Sequence, residues 1–152
     1  MSASSNIAFQ DTPDGLLVTV SGTISERSEL AVPSIAPGQP VIVDPSQVNH
    51  INSLGVRQWI TFVNGLCGQT PLVSIRQLSP ALVLQASMIS NFLGGARVES
   101  FVTPWVCTSC DAELDQVQAI EAPIPEALPC ASCGGAMELD SDPQAYLAFL
   151  SG

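Results

Sequence analysis

The chain has 152 residues, 14 acidic groups, four Arg and no Lys, for a formal charge of −10. That length holds one ordinary domain, or a domain of about 100 residues with a small appendage. An apolar content of 46 % excludes a disordered composition, and a pI near 4.1 excludes non-specific adhesion to nucleic acid or anionic membranes.

The opening MSASSNIAFQ has no basic n-region and no apolar h-region. No stretch approaches the ~18–20 consecutive apolar residues that span a bilayer. A soluble, cytoplasmic protein without a membrane partner is therefore expected. Residues 6–10 and 16–21 are short apolar runs around Thr12-Pro13-Asp14-Gly15, a strong turn signal, which predicts a β-hairpin. Residues 25–30, with Ser25 as cap, predict a short helix before a Pro-rich loop. Val41-Ile42-Val43 reads as a buried strand that Asp44-Pro45 brings to a stop.

The clearest periodicity follows. Val56, Trp59, Ile60, Val63, Leu66 and Cys67 fall on one face of an α-helix, capped by Asn52 or Ser53 and ended by Gly65 or Gly68. Cys67 on that face reads as a small buried hydrophobe, with a reactive thiol as the alternative. Residues 72–75 predict a strand, and Ser79-Pro80 opens a second helix running to about Leu93, before Gly94-Gly95. Residues 98–102 predict a further strand. The order β-β-α-β-α-β-α-β argues an α/β fold with a mixed sheet packed by helices.

A Ser at a helix start sits where unpaired N–H groups and the positive dipole end favour an anion. Arg57, four residues beyond Ser53, is in reach of a phosphate there. On the residues alone, Ser53 as a mere cap stands beside Ser53 as a modification site. His50, the only histidine, has no neighbouring nucleophile and reads as a surface group.

Asp44-Pro45-Ser46-Gln47-Val48 followed by Ile51-Asn52-Ser53-Leu54-Gly55 resembles the signature of STAS domains, the sulphate-transporter and anti-sigma-factor-antagonist family. The resemblance spans residues 5–103. It implies a non-catalytic, bacterial-type interaction module in a partner-switching system. Ser53 would be the residue phosphorylated by a serine kinase or anti-sigma-like partner, with Asp44, Ser46, Asn52, Ser53 and Arg57 forming the partner-binding site. Two positions depart from the family pattern, in which Asn52 is an Asp and Leu54 a Ser or Thr. A non-switching scaffold component of a larger assembly is the alternative.

Composition changes near Thr103-Pro104. Residues 1–103 carry six acids and four Arg, a net of −2, whereas residues 104–152 carry eight acids and no base, a net of −8. In the second part, Cys107-Thr108-Ser109-Cys110 and Cys130-Ala131-Ser132-Cys133 stand 19 residues apart. Two C-x-x-C pairs at that spacing point to one tetrahedral structural zinc held by Cys107, Cys110, Cys130 and Cys133. A redox or disulfide role is the weaker alternative, because no thioredoxin-like context surrounds either pair. Gly134-Gly135 supplies permissive backbone after the second pair, and Asp111 tolerates a left-handed conformation in the equivalent position after the first. The segment resembles a zinc ribbon, with residues 117–120 forming strand between the knuckles. Without a single base it cannot neutralise phosphates, so a nucleic-acid partner is not expected. Asp142-Pro143 opens a terminal helix from which Tyr146, Leu147, Phe149 and Leu150 can dock on the body. The expected organisation is a STAS-like domain over 5–103, a zinc ribbon over 104–140 and a C-terminal helix over 141–152.

Overall fold

The computed structural model describes residues 5–151. Strands β1 (Ser5–Thr12) and β2 (Gly15–Ile24) form the expected hairpin, with Thr12 opposite Gly15. Strand β3 (Val41–Ile51) follows, then helix α1 (Ser53–Cys67), β4 (Val73–Ile75), α2 (Pro80–Met88) and β5 (Arg97–Val98). These strands make a mixed sheet in the order β1-β2-β3-β4-β5, antiparallel at the hairpin and parallel from β2 onward. A second, antiparallel sheet in the order β7-β6-β9-β8 is built from β6 (Ser100–Cys107), β7 (Glu113–Ala119), β8 (Leu128–Pro129) and β9 (Ala136–Leu139). Helix α3 (Pro143–Tyr146) and a 3₁₀ turn at Ala148–Ser151 close the chain. Among the described residues, no helix is long and apolar enough to cross a membrane.

Alternation along β2 sends Leu16, Val18 and Val20 into the core, where they meet Val41 and Val43 of β3 and the apolar stripe of α1. Val56, Trp59, Val63 and Leu66 are buried as the period predicts, together with Phe62. Cys67 is half-buried, and burial pushes its thiol up, in keeping with a packing role. Gly55 lets α1 start against the end of β2, because a Cβ there would collide with the Ile24 carbonyl.

Several expectations are corrected. Residues 25–27 form a tight turn and 28–30 irregular chain, because local side-chain bonds compete with helix: Ser25 Oγ accepts from the Arg27 N–H at 3.2 Å and Ser28 Oγ from the Ser25 N–H at 2.9 Å. Pro45 does not stop β3. It lies at a bulge between the Thr19–Asp44 and Ser21–Gln47 pairs, where the ladder is already irregular. Helix α2 ends at Met88 because Ile89 turns extended. That turn brings Phe92 under Trp59, at 5.8 Å between ring centroids, and the Phe92 carbonyl accepts from the indole N–H at 3.0 Å. The strand expected over 98–102 is split at Glu99 between the two sheets. Leu150 stays exposed, whereas Tyr146 is buried and Leu147 and Phe149 are half-buried against the body.

The two sheets are stitched together through β6. The Leu78 N–H donates to the Ser100 carbonyl at 3.1 Å and the Val102 N–H to the Leu78 carbonyl at 2.8 Å. Phe101 therefore lies in the first core, while Trp105 and Cys107 on the same strand lie in a second core with Cys130 and Met137. The compositional break at Thr103-Pro104 falls inside this strand. The C-terminal segment locks the junction. The Tyr146 hydroxyl donates to the Val102 carbonyl at 2.6 Å, and Ser87 Oγ donates to the Tyr146 carbonyl at 2.8 Å. Phe149 packs edge-on against Phe101 at 5.2 Å. Tyr146→Phe should lower unfolding free energy by about 1–2 kcal/mol, since the buried Val102 carbonyl loses its donor. Urea unfolding checks this, and an unchanged midpoint would refute the locking role.

Candidate functional site

Two turns of the same construction face each other at the end of the second sheet. In the first, the Asp111 N–H returns to the Cys107 carbonyl at 3.1 Å and the Cys107 N–H donates to the Ala112 carbonyl at 2.8 Å. In the second, Gly134 N–H reaches the Cys130 carbonyl at 2.8 Å and Cys130 N–H the Gly135 carbonyl at 2.8 Å. Each turn needs one left-handed residue: Asp111 (φ 61°) in the first, and in the second Gly134 (φ 77°), the first of the two glycines the sequence offers there. The four sulfurs lie within 4.8 Å of one another, with Cys107–Cys133 at 3.5 Å and Cys110–Cys130 at 3.7 Å. Tetrahedral thiolates around one ion, at metal–sulfur distances of about 2.3 Å, are about 3.8 Å apart. The four cysteines therefore suit a metal ion, as their spacing predicts.

Backbone N–H groups aim at the sulfurs. Ser109 and Cys110 donate to Cys107 Sγ at 3.4 and 3.5 Å, and Gly135 donates to Cys133 Sγ at 3.4 Å. N–H groups of Cys133 and Ser132 lower the Cys130 thiol to about 6, and those of Cys110 and Ser109 lower Cys107. At Cys110 the Ala112 N–H pulls downward, but the neighbouring sulfurs of Cys133 and Cys107 outweigh it and push the thiol up to about 12. The Gly135 N–H likewise draws Cys133 down, and contact with the Cys107 sulfur pushes it up, the net direction being upward. Four adjacent thiolates repel, so full ionisation calls for a cation among them. The first cysteine of each turn is buried and the second exposed.

The residues read from the STAS-like motif fall into two places. Asp44 sits within β3, where Oδ1 accepts from the Ser46 N–H at 3.1 Å and Oδ2 pairs with Arg76 at 3.3 Å. No sequence signal points to Arg76, which is far from Asp44 in the chain and meets it only because β3 and β4 are neighbours. Asn52, Ser53 and Arg57 lie at the start of α1. From Asp44 to Ile51, β3 spans the five-residue advance of β2 from Thr19 to Ile24, roughly 17 Å at 3.3 Å per residue. Among the described residues, no hydrogen bond or ion pair joins the two groups.

Asn52 is the cap. Its Oδ1 accepts from the Gly55 N–H at 2.7 Å, and its Nδ2 donates to Glu26 Oε2 at 3.0 Å, which lowers the Glu26 pKa. Ser53 is the first helical residue, exposed, and its hydroxyl has no hydrogen-bond partner among the described residues. Arg57 is exposed one turn on, and His50 is exposed on β3.

Two measurements probe these arrangements. Asn52→Ala should cost about 1 kcal/mol of stability by urea unfolding, whereas Ser53→Ala should be near neutral. Cys130→Ser should abolish stoichiometric metal binding, read by elemental analysis of the purified protein, and acidification should release metal from the wild type as protons take the thiolates. Retained metal in Cys130→Ser would exclude the four-sulfur site.

No family model, no curated protein and no solved structure matches the chain, so its functional reading rests on its own geometry.

Proposed function

We propose that this chain is a non-catalytic protein-interaction module of a bacterial partner-switching type, with a STAS-like first sheet and a ribbon-like second sheet holding one structural zinc. The observation that carries the reading is the division of labour at α1. Asn52 performs the capping, which frees the Ser53 hydroxyl at an exposed helix start, with Arg57 one turn away. A phosphate there would meet the positive end of the helix and a guanidinium, adding about −1.5 to −2 charge at little cost to the fold. The antiparallel hairpin leading into parallel β2-β3-β4-β5 supports the likeness suggested by the 44–55 motif. Zinc is favoured among soft-ligand metals because four thiolates at tetrahedral separations are its usual structural set. Such a set leaves no open position for a reacting group, which favours a structural role over catalysis.

In this reading the partner contacts Asn52, Ser53 and Arg57, together with exposed Leu54. Asp44, paired with Arg76 about 17 Å up the strand from Ile51, belongs with its neighbour Ser46 to a separate part of the surface. That separation, with Leu54 in place of a hydroxyl residue, favours the second reading, a non-switching scaffold in which the same helix start is a permanent contact.

Intact mass of the protein from its native cells, together with partner binding by Ser53→Ala and Ser53→Glu, separates the two. A switch predicts a phosphate adduct, constitutive binding by Ser53→Ala, and binding weakened about 100-fold in Ser53→Glu at unchanged melting temperature. Equal binding by both variants without any phosphate adduct would leave the scaffold.

A further inference from the structure

A cleft of about 510 Å³ opens between the second sheet and the C-terminal helix. Trp105 of β6, Leu139 of β9, Ile124 and Leu147 make its apolar lining, and the exposed carboxylates of Glu126 and Glu138 line it as well. The volume lies within the range of about 300–1,000 Å³ typical of ligand pockets. Neither carboxylate has an ion-pair partner among the described residues, and the sequence contains no base after Arg97. The eight acids of residues 104–152 thus have no internal counter-charge in their own segment.

We infer that this cleft is a docking pocket for a segment of a partner protein that carries an apolar anchor side chain beside Arg or Lys. Charge complementarity selects that occupant. A basic neighbour would neutralise Glu126 and Glu138 as the anchor covers Ile124, Leu139 and Leu147, and the surrounding negative field would speed its approach. A second copy of this chain would bring a like-charged surface against the same carboxylates. A neutral small molecule would fill the lining and leave both carboxylates unpaired. The pocket lies apart from the α1 start, and its walls come from β6, β9 and the docked C-terminal segment. It therefore exists only when the second sheet and that segment are both in place.

The test uses the full-length, metal-loaded protein and follows backbone amide shifts. The probes are a short peptide with one Trp between paired arginines, the same peptide with glutamates replacing the arginines, and N-acetyl-tryptophanamide. The arginine peptide should shift the Ile124, Leu139 and Leu147 amides saturably, and the glutamate peptide should bind about tenfold more weakly or worse. Raising ionic strength to about 0.5 M should weaken the arginine peptide. The paired variant Glu126→Gln, Glu138→Gln should lose about tenfold for the arginine peptide while its own spectrum stays that of a folded protein. Absence of saturable shifts at these amides, or equal binding of the two peptides, overturns the proposal. Binding of the neutral amide as tight as that of the arginine peptide would mark a small-ligand site instead, and shifts of the same amides on dilution alone would mark self-association.

Discussion

The structure depends on one strand serving two sheets. β6 begins beside Leu78, continuing the pairing of β5 along the β4 segment, and ends at Cys107. Its early side chains, led by Phe101, belong to the core of the first sheet, and its later ones, Trp105 and Cys107, to the second. A strand is stiff over this length because each residue is held in the ladder, here by β7 on one side and β9 on the other. The position of the four-cysteine centre is thereby referred to the first core through eight residues of extended backbone.

That arrangement explains how a small apolar core can exist at the metal end. Trp105, Cys107, Cys130 and Met137 are too few to order a sheet by burial alone. A metal ion held by the four cysteines would supply the rest, because its binding free energy would become folding free energy. The C-terminal segment adds a second tie, with Tyr146, which follows both cysteine turns in the chain, bonding the Val102 carbonyl that precedes them. Burial of that phenol pushes its pKa upward, so it remains a donor across the ordinary pH range.

At the other end, the start of α1 is fixed by a close backbone approach. Asn52 N–H bonds the Ile24 carbonyl at 3.1 Å, and Gly55 passes the same carbonyl where any Cβ would collide. With the cap supplied by Asn52 and anchored to Glu26, the adjoining Ser53 and Arg57 are presented on a rigid element. On the proposed reading, local stiffness of that kind would favour recognition, since little side-chain or loop ordering would remain to be met on binding.

The sequence by itself determined the features that depend on neighbours in the chain: the hairpin at Pro13-Asp14-Gly15, the apolar face of α1, the helix entries at Asn52-Ser53, Pro80 and Pro143, and the paired knuckles with Asp111 and Gly134-Gly135 as their permissive residues. These are local, because turn chemistry, helical period and the spacing of C-x-x-C act within a few residues. Tertiary structure decided what local signals opposed or omitted. It carried β3 through Pro45 on a bulge, ended α2 at Met88 to seat Phe92 under Trp59, and paired Asp44 with Arg76 across two parallel strands. It also placed the compositional boundary inside a continuous strand, because backbone pairing is indifferent to the side-chain charge that marked the boundary. Ladder hydrogen bonds and core packing join residues far apart in the chain, and no local pattern encodes which partner a strand or ring will find.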